Sequence, residues 1–259
     1  MSSCSATICL LGAAAAAERS HDTKGRSSPP RRLALIALLA IGRGAGVSRD
    51  EVVALLWRDQ SEARGRELLG ELLAALRDEL GNDAVIERGD TLQLDTTIVS
   101  ADVIEFESAA ESGDLDRASG AYAGEFLEGF FLDDAVDFEQ WASDQRIRLT
   151  HRAEKVLDDL AAAARELGDE RRLIDALLRR AEIEPYAAEP TLHLMHALEA
   201  SGDAHAALRV GRTYESRIRT FLETDPAPSV LSETRRLRAI VGPLATPSTG
   251  NPANTGEKH

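Results

Sequence analysis

The stretch that most constrains the fold is residues 47–81, which read VSRDEVVALLWRDQSEARGRELLGELLAALRDELG. Its apolar spacing predicts two consecutive helices of unlike character, joined by a short polar turn. Ser48 and Glu51 form a capping box, so the first helix is expected to begin there. The second helix is predicted to begin near Ser61 and to end at Gly81.

The second helix has an apolar side and an exposed strip. Leucines recur on the apolar side at helical spacing, namely Leu69, Leu72, Leu73, Leu76 and Leu80. Beside them lie Arg66, Gly70, Ala74 and Arg77. A short helix followed by a long one with a free strip is the layout of a helix-turn-helix, whose second helix lies in the major groove of DNA. Trp57 of the first helix and Leu76 are predicted to share one buried core.

Two further segments complete this region. Pro30 is a helix-start signal, and the apolar run 33–41 predicts a buried first helix. After the two central helices, the apolar pairs around Arg88-Gly89-Asp90 predict a β-hairpin. Such a hairpin would be the wing of a winged helix, with Arg88 at its tip placed to contact a phosphate or the minor groove. A lone arginine at a turn is also commonly only solvated.

The N-terminus allows two interpretations. ATICLLGAAAAA has the apolar core and Ala-rich end of a secretory signal, but residues 1–5 carry no Lys or Arg. The absence of basic residues disfavours a secretory signal. Residues 12–30 lack the alternation of a strand and are predicted to be a poorly defined, partly ordered connection.

Several segments of the chain, taken in order, resemble a known family. The order RRLALIALLAI, VSRDEVVALLW, LRDELG, IERGDTLQLD and SADVIEFESA resembles the OmpR-like winged-helix half of the Streptomyces antibiotic regulatory proteins. Further on, YAGEFLEGFFLDDAVDFEQWASDQRIRL resembles the opening of their bacterial transcriptional activator domain. The resemblance covers roughly residues 31–240. It implies a cytoplasmic transcriptional regulator that binds promoter DNA, with RNA polymerase and a second copy on DNA as further partners. It also implies that the regulator begins with a strand, which we place at Thr7–Leu11.

The fold class expected from pattern and resemblance is mainly α. A winged helix-turn-helix over residues 1–98 is followed by an all-α, tetratricopeptide-like repeat domain over 99–241 and a disordered tail over 242–259. The repeat is indicated by Gly168-Asp169 and Gly202-Asp203, which stand 34 positions apart. Before them, a long helix from Phe138 to Leu167 is predicted. Its apolar residues are spaced as expected for helices packed in layers: Trp141, Ile147, Leu149, Val156, Leu157 and Leu160. Because each helix pair needs only its neighbours for burial, residues 99–241 are expected to fold alone.

Charge limits what the DNA reader can be. The net charge is −14, but residues 1–98 hold 12 basic and 14 acidic side chains, so most of the negative charge lies further on. Indiscriminate nucleic-acid binding is disfavoured, because phosphate neutralisation supplies most of that affinity. A nearly neutral reader is expected to bind weakly and at particular sites.

Five arginines are the candidate DNA-binding residues: Arg49, Arg64, Arg66, Arg77 and Arg88. One or both of Arg66 and Arg77 are predicted to read a guanine edge, while Arg88 would hold a phosphate. Three acids on the exposed arc of the same helix, Glu67, Glu71 and Asp78, oppose the DNA backbone. The alternative function is therefore a protein-interaction module whose winged helix no longer binds DNA.

Other chemistry has little support in the sequence. His193, His196 and His205 have a spacing that could share a metal ion, but neither a cysteine nor a cluster of carboxylates accompanies them. No pair of acids stands out as a catalytic acid and base, and no phosphate-binding loop is present. No segment approaches the roughly 20 apolar residues of a membrane span. We expect a non-enzyme without cofactor, metal or membrane contact.

Overall fold

A computed structural model of the chain describes residues 6–12, 15–18 and 30–242. These residues are mainly α-helical, as predicted, and form two compact units, Met1–Ala162 and Ala163–His259. The predicted domain boundary at residue 98 lies inside the first unit. Most of the connection predicted over 12–30 and nearly all of the predicted disordered tail lie outside the described residues.

The elements follow the chain in a simple order. The strands are β1 (Ala6–Cys9), β2 (Ala15–Glu18), β3 (Val47–Ser48), β4 (Val85–Arg88), β5 (Thr91–Leu94) and β6 (Val99–Ala101). The helices that begin in the first unit are α1 (Pro30–Gly42), α2 (Arg49–Leu56), α3 (Glu62–Leu80), α4 (Asp102–Ser112), α5 (Leu115–Ala121) and α6 (Val136–Leu167). The second unit contains α7 (Glu170–Ile183), α8 (Ala188–Ala200), α9 (Ala204–Arg217) and α10 (Pro228–Val241). The division between the two units falls within α6.

The first unit contains two small sheets, with strand orders β2-β1-β6 and β3-β5-β4. Strand β1 confirms the strand predicted at Thr7–Leu11. The prediction for the following segment was wrong in part, because Ala15–Glu18 forms a strand antiparallel to β1. Its sequence, AAAE, has no alternation to reveal it. The pairing supplies its backbone hydrogen bonds instead, which sequence periodicity does not report.

Asp102 holds the N-terminal strand against the start of α4. Strands β1 and β6 are parallel, and β6 ends one residue before this aspartate. One carboxylate oxygen, Oδ1, accepts the N–H groups of Leu10 and Val103, at 2.8 and 2.7 Å; Oδ2 accepts that of Leu11 at 3.0 Å. The side chain thus satisfies the backbone donors beyond the end of the sheet. Burial raises its pKa, although the backbone hydrogen bonds act to lower it.

Helices α1, α2 and α3 enclose an apolar core. All of Leu33–Ala40 in α1 is buried, as its unbroken apolar run predicted. Leu76 is fully buried and Trp57 is 9% exposed, so both belong to the interior of the first unit as predicted. The Arg31 guanidinium lies 5.8 Å from the centre of the Trp57 ring, which places a cation over its face.

Aromatic contacts and a partly buried arginine hold together the rest of the first unit. The rings of Phe106 and Tyr122 lie 5.3 Å apart and join α4 to the end of α5. Arg146 of α6 donates to the carbonyls of Phe126 and Phe130 at 3.0 and 3.3 Å, holding the loop before α6. The long predicted helix is confirmed by α6, with most of its apolar positions buried or partly buried. Ile147 is the exception among these positions, because it is 56% exposed.

The second unit repeats one turn, as the sequence predicted. Gly168 and Gly202 have positive φ angles of 68° and 89°, a conformation that favours glycine. The aspartate after each glycine caps the next helix: Asp169 accepts the N–H of Arg172 at 3.0 Å, and Asp203 that of Ala206 at 2.8 Å. Helices α8, α9 and α10 pack around a core of Met195, Ala207, Leu208, Tyr214, Ile218, Val230 and Leu237.

The helices are amphipathic or short rather than long and uniformly apolar. Within the part of the chain that the structure describes, none of them combines the length and the apolar composition needed to cross a bilayer.

Candidate nucleic-acid interface

Both helices of the predicted helix-turn-helix begin at a serine cap. The Ser48 hydroxyl accepts the N–H of Glu51 at 3.1 Å, which confirms one half of the predicted capping box. Ser61 caps α3 in the same way, accepting the N–H of Arg64 at 3.3 Å. At the other end, Gly81 follows the last helical residue with φ of 103°. Both helices therefore begin, and α3 ends, where local sequence chemistry predicts.

Gly65 sets how closely α2 and α3 approach. A Cβ atom at this buried position would lie 2.4 Å from Cγ1 of Val53, which is too close for any real contact. Gly70, further along α3, is exposed, and a Cβ atom added there would have no neighbour within 4 Å. The first glycine is thus a packing requirement, whereas the second lies on the open strip.

The predicted hairpin is formed by β4 and β5, with Arg88 paired to Thr91 across the turn. Gly89 in the turn has φ of 63°, a left-handed conformation suited to glycine. The Arg49 N–H at the start of α2 donates to the Asp90 carbonyl at 2.9 Å, so the hairpin tip is tied to α2. Arg88 is exposed and, within the described residues, makes no ion pair.

The arginines at the start of α3 are paired with nearby acids. Arg66 lies 2.9 Å from Asp50 of α2 and 3.1 Å from Glu62 of its own helix. These carboxylates raise the pKa of the Arg66 guanidinium, with the Asp50 hydrogen bond as the largest cause. Arg64 lies 2.9 Å from Glu67, one turn further along. Both arginines remain about half exposed.

The remaining two arginines meet on one carboxylate. Glu87 of β4 contacts Arg49 of α2 through Oε2 and Arg77 of α3 through Oε1. The Arg77 hydrogen bond is the largest cause that lowers the pKa of Glu87, and the Arg49 charge adds to it. One side chain therefore joins the hairpin to both helices.

Arg49, Arg64, Arg66 and Arg77 therefore lie in ion pairs on α2, α3 and the hairpin, whereas Arg88 lies on the opposite side of β4 from Glu87. Sequence reasoning named these five arginines but missed three of their partners, Asp50, Glu62 and Glu87. A signal for Glu87 was present, because side chains alternate along a strand. Val85 is buried, so Glu87 two residues later faces the same side, toward the helices, while Arg88 faces the other.

Glu67, Glu71 and Asp78 of α3 are exposed as predicted, the first two with side-chain exposures of 66 and 69%. Glu62, which was not among the predicted acids, is 75% exposed. Arg64 contacts Glu67 and also lies 3.9 Å from Glu71, so it offsets part of their charge. The open face of α3 thus carries both signs, and an approaching phosphate would meet arginines already engaged by carboxylates.

Comparison with known proteins assigns the part of the chain that follows this surface to a family. The family model described as Bacterial transcriptional activator domain matches residues 94–239. This chain belongs to that family. The matched residues begin at the end of β5, so α1, α2, α3 and most of the hairpin precede the activator domain. No curated protein matches the sequence significantly.

Solved structures give a likeness of fold. The chain is similar to Mycobacterium tuberculosis EmbR, solved in complex with a low-affinity phosphopeptide. The TM-score is 0.53 and the identity 21%, over 93% of this chain and 66% of EmbR. The chain thus spans just under two thirds of that structure. The likeness extends beyond the activator domain to the N-terminal helices and strands.

Two histidines of the activator domain lie beside a cavity in the second unit. The cavity has a volume of about 390 Å³ and is lined by His193, His196 and the turn at Gly168-Asp169, among others. Glu233 lies near one of these histidines, with its Oε1 3.5 Å from Nε2 of His196. Among the residues that the structure describes, no three His, Cys, Asp or Glu side chains converge on a position that could hold a metal ion.

Proposed function

We propose that this member of the activator-domain family is a transcriptional regulator that binds promoter DNA. The reader is a winged helix made of α1, α2, α3 and the β4–β5 hairpin. In this arrangement α3 enters the major groove and the hairpin follows the backbone beside it. The helical repeats provide contacts to other proteins, with RNA polymerase and a second copy of the chain as candidate partners. The proposal assigns no enzymatic reaction to the chain.

One observation carries the proposal: Arg49, Arg77 and the hairpin converge at Glu87. Because one carboxylate joins α2, α3 and β4, the recognition helix and the wing form a single surface. Arg88, at the exposed hairpin tip, faces away from Glu87 and adds a guanidinium outside any ion pair of the described residues. A guanidinium binds phosphate or a guanine edge with two parallel hydrogen bonds.

A second candidate function rests on the acids of α3. Exposed carboxylates of Glu62, Glu67 and Glu71 oppose a phosphate backbone, and they neutralise Arg64 and Arg66. In this alternative the winged helix is a structural or docking module, and the repeats alone carry the function. Carboxylates can also accept hydrogen bonds from cytosine amino groups, so their presence is compatible with site-specific DNA binding.

Two arginine variants test the DNA-binding proposal. Arg77→Ala should cost roughly 1–3 kcal/mol at a specific site. It should change binding to random DNA little, because there the Arg77 guanidinium stays paired with Glu87. Arg88→Ala should weaken all sequences alike and lower the salt slope by about one, because a phosphate contact carries no sequence information. Fluorescence anisotropy titrations over a range of salt concentrations measure both quantities.

The matched control is Arg117→Ala. Arg117 lies in α5, is 55% exposed and pairs with Glu105 of α4, so its loss removes the same charge outside the proposed reader. The affinity of Arg117→Ala for DNA should equal that of the wild type within about twofold, a difference well below 1.4 kcal/mol. If Arg77→Ala and Arg88→Ala also bind like the wild type, α3 and the hairpin do not contact DNA.

A further inference from the structure

Glu87 stands out among the acids of the reader because it bridges two helices. The other carboxylates near the candidate arginines pair along α3 or between the starts of α2 and α3. Glu87 instead reaches from the hairpin, and each of its oxygens contacts a different guanidinium. The three side chains are all partly exposed: 25% for Arg49, 29% for Arg77 and 34% for Glu87.

We infer that the Glu87 carboxylate occupies the position of a DNA phosphate in the free protein and yields Arg49 and Arg77 to that phosphate on binding. This inference rests on the proposed function. A carboxylate and a phosphodiester each carry one negative charge and two terminal oxygens that can accept from guanidinium groups. The two arginines are therefore held in advance in the spacing that one bridging anion requires.

Exchange of the two anions requires little rearrangement. Glu87 is at the end of a flexible side chain that is one third exposed, so it can rotate into solvent while β4 stays paired to β5. Ion pairs at such exposure contribute little net stability, because both charges are well solvated when apart. The arginines, by contrast, are fixed on helices whose starts and packing are set independently by caps and by Gly65.

The exchange favours specific DNA sites over random DNA. Every duplex offers phosphates, and a phosphate must displace Glu87 before it can bind Arg49 and Arg77. Binding that relies on phosphates alone is therefore weakened, while a site with additional base contacts can still bind. Asp50 and Glu62 also form ion pairs with Arg66, but neither carboxylate belongs to the hairpin. Glu87 is thus a specificity-determining residue of the reader.

The test compares Glu87→Gln with Glu79→Gln on a short random-sequence duplex. Glu79 pairs with Arg32 at 3.1 Å and is similarly exposed, so its variant removes the same charge from the same unit without freeing Arg49 or Arg77. Glu87→Gln should tighten binding about fivefold to tenfold and steepen the salt slope by one to two, because two arginines gain phosphate contacts. Glu79→Gln should remain within about twofold of the wild type.

A double variant separates exchange at the arginines from a general gain in positive charge. In the Arg77→Ala background, Glu87→Gln should give a clearly smaller gain than in the wild type, since one of its two arginines is missing. An equal gain in both backgrounds would overturn the inference. The inference would also be overturned if Glu87→Gln, with a wild-type circular dichroism spectrum, bound the duplex no more tightly than the wild type. The proposed function would still stand in that case, provided that the wild type binds DNA. If neither the wild type nor Glu87→Gln binds any duplex at low salt, both the inference and the proposed function fail.

Discussion

Replacing Trp57 with alanine is expected to lower the free energy of unfolding of the first unit by about 3–5 kcal/mol. Trp57 is only 9% exposed and follows the last residue of α2. Its N–H donates to the Val53 carbonyl at 2.9 Å, and its own carbonyl accepts from Gln60 at 3.0 Å. The side chain thus fills the space beside the turn between α2 and α3, and the variant would leave a cavity there.

Urea denaturation followed by far-ultraviolet circular dichroism measures this loss. Trp57→Phe is the matched variant, because it keeps an aromatic ring beneath Arg31 and should lose much less stability. Val136→Ala serves as an exposed control, since Val136 is 74% exposed and its truncation should change stability by less than about 0.5 kcal/mol. A loss below about 1 kcal/mol for Trp57→Ala would contradict the burial of this residue.

Replacing Asp102 with alanine is expected to cost about 3 kcal/mol or more. The variant removes the acceptor of the Leu10, Leu11 and Val103 N–H groups, and each buried donor left without a partner costs about 1–3 kcal/mol. The same denaturation experiment measures the loss. Asp114→Ala is the control: Asp114 accepts one N–H, from Arg117 at 3.2 Å, on an exposed helix start, and its loss should cost only about 1 kcal/mol. Equal losses for the two variants would contradict the buried role of Asp102.

Asp102 also makes a prediction about pH. Its pKa is raised in the folded protein, mainly by burial. The stability that this group contributes is therefore fully present below its unfolded pKa of about 3.9 and is lost as pH rises through the folded value. Asp102→Asn cannot titrate, so the wild type should exceed it in stability by a margin that shrinks as the pH rises above about 4. A margin that grows with pH would mean that the backbone hydrogen bonds outweigh burial.

Local sequence signals predicted the elements well where one residue determines the backbone. Ser48 and Gly81 mark ends of α2 and α3 because a hydroxyl cap and a glycine with positive φ act within a few residues. Gly168-Asp169 predicts its turn for the same reason. The ion pairs could not be predicted in this way, since Glu87 lies 38 residues from Arg49 and their contact depends on how the hairpin packs.

Long-range pairing accounts for the larger differences between the sequence-based predictions and the structure. Strand β1 pairs with β6 more than ninety residues later, and Asp102 binds the backbone of Leu10 across a similar distance. A fragment limited to residues 99–241 would lose both contacts, so the expectation that it folds alone is strongest for the helices of the second unit. Sequence periodicity describes faces of single elements, and it therefore cannot report which distant segment supplies a strand's partner.

The central claim is that the N-terminal helices and hairpin read DNA in a sequence-dependent way. The most direct measurement incubates the full chain with fragments of the encoding genome at low salt, separates bound from free DNA by electrophoretic shift, and sequences the bound fraction. The account predicts that a few discrete fragments are enriched, and that the Arg77→Ala variant loses this enrichment while Arg117→Ala retains it. The absence of any bound fragment with the wild type would contradict DNA reading and would favour the interaction-module alternative.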